Sequence, residues 1–202
     1  MIDLFASNIY LPNDPLDLLR SWYNGVSEID NAEAIAGSLA TADQDGKPSV
    51  RIVLFKSLVR GDFVFFTNLD SKKARELQDN PCAAICFYWP SIARQVRVEG
   101  VAHIVAPKEA DEYFATRPKH SQIGAYASRQ SQPMQSAAEL EERLQYYEKK
   151  FADTTIERPE FWSGFRLVPT KIEFWQAGEY RLHKRVLYSR LNGVWQQQLL
   201  YP

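Results

Sequence analysis

The sequence predicts an antiparallel, mainly β fold with helices at its periphery, an α+β arrangement. Three observations carry this. The middle and end of the chain hold consecutive runs rich in β-branched and aromatic residues. Short connections with turn residues separate these runs, which suits hairpins better than helical crossovers. Helical patterns are few and lie between blocks of strands. About eight short strands and three or four helices result, and closing the strands into a barrel would remove exposed edges. The chain has 202 residues with no internal repeat and no linker tract. It reads as one domain, 1–202, with 1–13 as an N-terminal arm.

The elements follow in order. Asp14-Pro15 is a capped helix start, and Leu16, Leu18, Leu19 and Trp22 supply its apolar face. Ala36–Ala42 is a strand ending at the turn signal around Asp45-Gly46. Val50–Lys56 and Asp62–Thr67 are the next strands, separated by Arg60-Gly61. Ser71–Asn80 is a short helix stopped by Pro81, and Cys82–Trp89 and Gln95–Val105 are strands. In the latter, Gln95, Arg97 and Glu99 alternate with Val96, Val98 and Gly100, the period of a half-exposed strand. Lys108–Thr116 reads as a helix ended by Pro118, and Ser136 with Glu139 forms a capping-box pattern before a helix to about Phe151. Phe165–Val168, Lys171–Gln176, Val186–Ser189 and Val194–Leu200 are the late strands, with Asn192-Gly193 as a hairpin turn.

The formal net charge is −1, which argues against a dedicated polyanion binder. The balance is uneven: residues 1–50 carry −6, 51–131 carry +4, 132–180 carry −3 and 181–202 carry +4. Two basic blocks in a neutral chain fit either solvated surfaces or two walls around a small anion. Cys82 and Cys86 read as small buried hydrophobes in a reducing compartment. Their spacing does not favour a disulfide. The three histidines lie well apart, so no metal site is expected. The first residues lack a secretory pattern, and no apolar stretch approaches the roughly 20 residues that span a bilayer. A cytoplasmic protein is expected.

Three clusters could carry chemistry. Arg51 and Lys56 share one strand, Thr67 ends the next, and Ser71, Lys72 and Lys73 open a helix. A helix N-terminus favours an anion, although a solvated basic helix start looks the same in sequence. Tyr113 and Arg117 share a helical face with Ser121 nearby, offering a planar fork and hydroxyls to phosphate oxygens. An amphipathic surface helix has the same spacing. Arg181, His183 and Arg185 would lie on one side of an extended segment, as an anion wall or as a basic edge strand. Trp175 suits either the core or a stacking wall. No glycine-rich phosphate loop is present, so side chains would have to hold any phosphate.

At these residues the sequence resembles the pyridoxine (pyridoxamine) 5′-phosphate oxidase family. The matching segments include Arg51-Ile52-Val53-Leu54-Phe55-Lys56, Phe66-Thr67-Asn68-Leu69 and Ser71-Lys72-Lys73-Ala74. They continue with Arg94-Gln95-Val96, Tyr113-Phe114, Arg117-Pro118 and Ser121-Gln122-Ile123-Gly124-Ala125. Ser128-Arg129-Gln130-Ser131, Phe161-Trp162-Ser163-Gly164-Phe165-Arg166, Ile172-Glu173-Phe174-Trp175-Gln176 and Arg181-Leu182-His183 with Arg185 complete the pattern. The resemblance runs from about Asp14 to Pro202.

The resemblance implies an FMN-binding split β-barrel of antiparallel Greek-key type, working as a homodimer with FMN at the interface. It implies FMN held by Arg51, Ile52, Val53, Leu54, Phe66, Thr67, Lys72, Lys73, Gln95, Gln130, Ser131, Trp175 and Arg185, some from the other subunit. Substrate contacts would come from Lys56, Tyr113, Arg117, Ser121, Arg181, Leu182 and His183, with Arg181 and His183 at the reacting ring. The implied reaction oxidises pyridoxamine or pyridoxine 5′-phosphate to pyridoxal 5′-phosphate. Dioxygen is the acceptor, hydrogen peroxide is formed, and the amine also gives ammonia. Neither a nucleic acid nor a membrane is implied as a partner. The alternative is a flavin- or pyridoxal-phosphate-binding protein with little turnover. Two departures motivate it: no Arg-x-x-Tyr segment in Met1–Pro12, and Lys184 where the family carries Asp; a third, Lys72 where the family usually carries Arg, keeps a phosphate contact without the bidentate geometry.

Overall fold

The computed structural model of the chain describes residues 11–30, 34–56, 58 and 63–202. The first helix, α1 (Pro15–Asp30), starts where Asp14 Oδ1 accepts the Leu16 N–H at 2.9 Å. Leu18, Leu19, Trp22 and Val26 recur at helical spacing and are all fully buried. Trp22 sets its edge against Phe174 at 5.2 Å, and the Arg94 guanidinium lies 4.4 Å from the indole. Burying such side chains is worth about 1.5–3 kcal/mol each, so packing rather than propensity holds this helix.

The strands are β1 (Ala36–Ala42), β2 (Pro48–Leu54), β3 (Phe63–Asn68), β4 (Cys82–Trp89), β5 (Arg94–Ile104), β6 (Trp162–Gln176), β7 (Lys184–Leu191) and β8 (Val194–Leu200). All pair antiparallel, in the order β2-β1-β4-β5-β6-β7-β8, with β3 also on β6. The other helices are α2 (Lys72–Asp79), α3 (Pro107–Thr116), α4 (Lys119–Ala127) and α5 (Ala137–Lys150). The core lies between α1 and the inner sheet face. It includes the aromatic set Phe55, Phe63, Phe65, Phe87, Trp89, Phe165 and Phe174.

The expected closed barrel is not formed; the sheet is open. Among the described residues no ladder joins β2 to β3. One backbone bond, Lys56 N to Val64 O at 2.9 Å, bridges them. Strand β3 spends a full edge on β6, from Phe63 opposite Leu167 to Asn68 opposite Trp162. Phe55, just past β2, donates instead to Ile35 O. The turn expected at Arg60-Gly61, the strand start at Asp62 and most of the N-terminal arm lie outside the described residues.

Several local expectations change. The two strands expected over 165–176 are one strand, β6. Its register with β5 shifts between Glu99 and Gly100, leaving Thr170 as the extra residue. A Cβ at Gly100 would lie 2.2 Å from Val168 O, so close backbone approach requires glycine there. Helix α4 was not foreseen, because Pro118 reads as a stop when it is in fact the N-cap of a new helix. The capping box at α5 is not closed: Glu139 accepts from Gln135 N at 3.1 Å, and Ser136 makes no side-chain cap. Cys82 is exposed and Cys86 half-buried, so neither is the buried hydrophobe expected. The Asn192-Gly193 turn is as expected, with φ of 50° and 82°. No described helix is long and apolar enough to cross a membrane.

The bulge gives a stability test. Gly100→Ala must displace backbone and should cost about 1–3 kcal/mol in urea unfolding. Gly124→Ala in α4, where an added Cβ meets nothing within 4 Å, should be neutral or stabilising. Equal effects of the two substitutions would contradict the packing described.

Candidate functional site

The end of β2, the end of β3, the start of α2, the α3–α4 corner and the start of β6 surround a cavity of about 730 Å³. Among the described residues its wall carries Lys56, Lys73 and Arg117 and no carboxylate. Three cations without a counter-charge in a concave site are the electrostatics of an anion-binding cavity.

The first cationic group sits where β3 hands over to α2. Ser71, fully buried, is the N-cap of α2 in an extended conformation. Lys73 Nζ donates to Thr67 Oγ1 at 3.1 Å, to Ser71 Oγ at 3.3 Å and to Gln130 Oε1 at 3.0 Å. Thr67 Oγ1 also donates to Gln130 Oε1 at 3.0 Å. Lys73 is only 9% exposed. Burial, with the neighbouring Arg51 charge, pushes its ammonium down to about 8. Partners that offer oxygens but no full negative charge leave that cation under-compensated.

Arg51 and Lys72 are held differently. Both reach Glu76, a carboxylate 4% exposed on α2. Arg51 Nη2 lies 3.3 Å from Glu76 Oε2, Lys72 is paired with Oε1, and Ser49 Oγ donates to Oε2 at 2.7 Å. Thr41 adds a further hydroxyl donor. Burial raises the Glu76 carboxyl, but the bonds from Lys72, Ser49 and Thr41 and the Lys72 charge outweigh it, bringing it to about 2. Neither Arg51 nor Lys72 lines the cavity, whereas Ile52, Val53 and Leu54 do.

The second cationic group is Lys56, Tyr113, Arg117 and Ser121, all on the cavity wall. Arg117 is not helical: it caps α3 with φ −72° and ψ 144°. The chain turns there, so one corner presents Tyr113 from α3 and Ser121 from α4. Phe66, Tyr113 and Trp162 stack as near-parallel rings, Phe66 lying 3.9 Å from Tyr113 and 5.4 Å from Trp162. Arg117 lies 4.8 Å from the Trp162 ring, and its buried Nη1 finds no acceptor among the described residues. Burial lowers the Arg117 guanidinium. Burial also lowers the Lys56 ammonium, with the Arg117 charge adding to it.

The third group lies outside this cavity. Gln95 pairs with Trp175 and Trp175 with Arg185, so the three side chains form a row across β5, β6 and β7. That row is on the face opposite the core residues Val96, Phe174 and Val186. Glu173 on the same face binds Arg97 at 3.1 Å and Arg185 at 2.8 Å. His183 packs 4.6 Å from Trp175, and its Nδ1 accepts the Gly178 N–H at 3.3 Å. The expected extended alternation of Arg181 with His183 and Arg185 is not formed. Tyr180 and Arg181 turn left-handed with φ of 53° and 64°, and the strand begins only at Lys184. Arg181 and Leu182 are exposed. Ser131 lines a smaller neighbouring pocket of about 210 Å³ rather than the main cavity.

Sequence reasoning missed Glu76, Glu173 and Trp162 as parts of these groups. Glu76 was findable, since it follows Lys72 by four on a predicted helix. Trp162 and Glu173 gave no signal beyond their place in the matched segments, because only the strand pairing brings them to the cations.

The family model described as pyridoxamine 5′-phosphate oxidase matches residues 29–150. The model described as the pyridoxine 5′-phosphate oxidase C-terminal dimerisation region matches residues 162–202. The pyridoxine/pyridoxamine 5′-phosphate oxidase of Mesorhizobium japonicum is 45% identical over 99% of this chain and 98% of its own. Among solved structures, PhzG of Burkholderia lata, in complex with tetrahydrophenazine-1-carboxylic acid, is 28% identical with a TM-score of 0.88. It covers 97% of this chain and 98% of that one. A pyridoxamine 5′-phosphate oxidase-related, FMN-binding protein of Nostoc punctiforme has a TM-score of 0.75 at 17% identity, covering 95% and 100%, and shares the fold.

The Glu76 network makes stability depend on acid. The Glu76 carboxyl is depressed from 4.5 to about 2, so its contribution is complete above about pH 4.5 and is lost as pH falls toward 2. That contribution is at most about 3 kcal/mol. Glu76→Gln should therefore lower stability at neutral pH and flatten the acid limb between pH 5 and 2 in unfolding curves. An unchanged acid limb would show that the carboxylate is not held as described.

Proposed function

Because the chain belongs to the pyridoxamine 5′-phosphate oxidase family, we propose that it oxidises pyridoxamine or pyridoxine 5′-phosphate to pyridoxal 5′-phosphate with FMN as cofactor. One observation carries this reading beyond the family: two separate cationic groups line a cavity that holds no carboxylate among the described residues. FMN and a phosphorylated vitamer each bring a phosphate, and each group supplies donors for one.

The residues present fit FMN. Lys73, buried and bonded only to neutral oxygens, is a cation lacking an anion. A phosphate beside it would restore the full charge that burial disfavours. Thr67 and Gln130 would complete that contact, and Arg51 and Lys72 would reach it from Glu76. Ile52, Val53, Leu54 and Phe66 would supply backbone and apolar contacts. FMN, when bound, supplies the two-electron redox chemistry, with dioxygen as acceptor, hydrogen peroxide as product and ammonia released from the amine substrate.

Lys56, Tyr113, Arg117 and Ser121 would bind the substrate phosphate, combining two cations with two hydroxyls. Arg181 would orient and polarise the substrate ring. His183 accepts the Gly178 N–H at Nδ1, so its neutral form would carry the proton on Nε2, available to a substrate.

Gln95, Trp175 and Arg185, with Arg181, Leu182 and His183, would complete the site from a second copy of the chain. Three features support a homodimer. These residues sit on an outward face, and β2 exposes Val50, Ile52 and Leu54 on the side away from the core. The match of 162–202 to a dimerisation region covers the outward row's β6 and β7.

The alternative, a binding protein with little turnover, rests on Lys184 in place of an acid and on the absence of an Arg-x-x-Tyr segment in Met1–Pro12, most of which lies outside the described residues. Strand alternation puts Lys184 on the opposite face from Arg185, away from the Gln95–Trp175–Arg185 row, which supports the catalytic reading.

The purified protein should show a flavin spectrum. It should form pyridoxal 5′-phosphate and peroxide from pyridoxamine 5′-phosphate. A flavin-loaded protein that turns over neither phosphorylated vitamer would favour the binding reading. Arg181→Ala should lower turnover on the order of 100-fold while FMN stays bound. Loss of FMN in that variant would overturn the division of the site.

A further inference from the structure

The half-buried Arg117 side chain has no carboxylate partner among the described residues, yet it is held in one place. A buried cation ordinarily needs a counter-charge or full hydrogen bonding, and Arg117 Nη1 has neither among the described residues. Its backbone does not aim it, because it stands past the last turn of α3 in an extended conformation. What touches it is aromatic. Trp162 lies 4.8 Å and Phe114 5.6 Å from the guanidinium carbon.

Trp162 is itself rigidly set. It opens β6 opposite Asn68, and its N–H bonds to Pro159 O at 3.0 Å. Its carbonyl accepts Arg158 Nη1 at 2.7 Å. Its ring stacks on Phe66 and meets Phe114 edge-on at 5.0 Å, and it is 6% exposed. The backbone of Trp162 is therefore pinned at its N–H and its carbonyl, and moving the indole would disturb the Phe66 and Phe114 rings packed on it.

We propose that Trp162 is the positioning residue for the substrate phosphate: its indole face holds Arg117 toward the cavity while leaving the guanidinium charge unneutralised. This rests on the reading of Arg117 as a phosphate ligand. A carboxylate could hold the guanidinium equally firmly, but it would compete with the incoming phosphate and repel it. A ring face attracts the cation through its quadrupole and carries no net charge. The same stack sets Tyr113, whose ring lies against Phe66, so one aromatic block aims two phosphate donors. Glu76 shows the contrasting device at the other cationic group, where Arg51 and Lys72 are held by a carboxylate.

The test uses the FMN-loaded protein. Binding of pyridoxal 5′-phosphate and of unphosphorylated pyridoxal is measured by calorimetry, with KM and kcat for pyridoxamine 5′-phosphate. Trp162→Leu should weaken pyridoxal 5′-phosphate binding about 5- to 30-fold, the range of a desolvated cation–π contact. Most of the loss in kcat/KM should appear in KM, and pyridoxal affinity should not move. Trp162→Phe, which keeps a ring face and the fold, should recover most of the loss. Its residual effect should vanish in an Arg117→Met background, as coupled residues require. If Trp162→Leu weakens pyridoxal and pyridoxal 5′-phosphate equally, Trp162 only shapes the cavity and the inference fails. Additive effects of Trp162→Phe and Arg117→Met would overturn it even if the leucine variant does not fold. If Arg117→Met alone leaves pyridoxal 5′-phosphate binding unchanged, the assignment of Arg117 as phosphate ligand falls, and this inference falls with it.

Discussion

Strand β6 is the constraint on which the rest of the molecule depends. It runs 15 residues, nearly three times the length of an ordinary strand. One of its edges carries β5 from Phe165 to Gln176, and the other is divided between β3 and β7. A strand this long stays in register with β5 only through the bulge at Gly100, where two backbones nearly touch. Its first residue, Trp162, is a wall of the cavity, and Trp175 near its last belongs to the outward row. The pairing of one strand therefore sets both halves of the proposed site.

Holding positive charge in place is the molecule's main electrostatic problem, and it is handled in three ways. Glu76 holds Arg51 and Lys72 by direct pairing, at the cost of a fixed negative charge beside them. Lys73 is surrounded by oxygens of Thr67, Ser71 and Gln130, and its ammonium is depressed to about 8. Arg117 rests on ring faces. The second and third arrangements leave cations facing a cavity without acids among the described residues, an arrangement that would favour an entering anion. Stability given up locally in this way is what the proposed anion site would require.

The placement of the third cluster explains why a single chain looks incomplete. Gln95, Trp175 and Arg185 are fixed by register and by Glu173, on a face that points away from the cavity. The exposed Val50, Ile52 and Leu54 side chains lie on the strand that forms the cavity's rim. A second copy covering that apolar edge would bury it and supply the missing wall, so the same contact would serve association and function.

Much of this was legible in the residues. Alternation in β5, the apolar stripe of α1 and the Asn192-Gly193 turn each depend on near neighbours in sequence, and each stands as expected. The cationic positions in all three clusters were visible as residue types. What surrounds them was not. The open seam between β2 and β3, the continuity of β6 and the start of α4 at Pro118 depend on which strand wins an edge and where a chain turns. Glu76 beneath Arg51, the rings beneath Arg117 and the outward direction of the Gln95 row join residues distant in sequence. Sequence by itself determined periodicity, turns and the chemistry of single side chains, because those are local properties. Tertiary structure alone decided which charges are neutralised and which remain available, because burial and pairing are properties of the packed sheet.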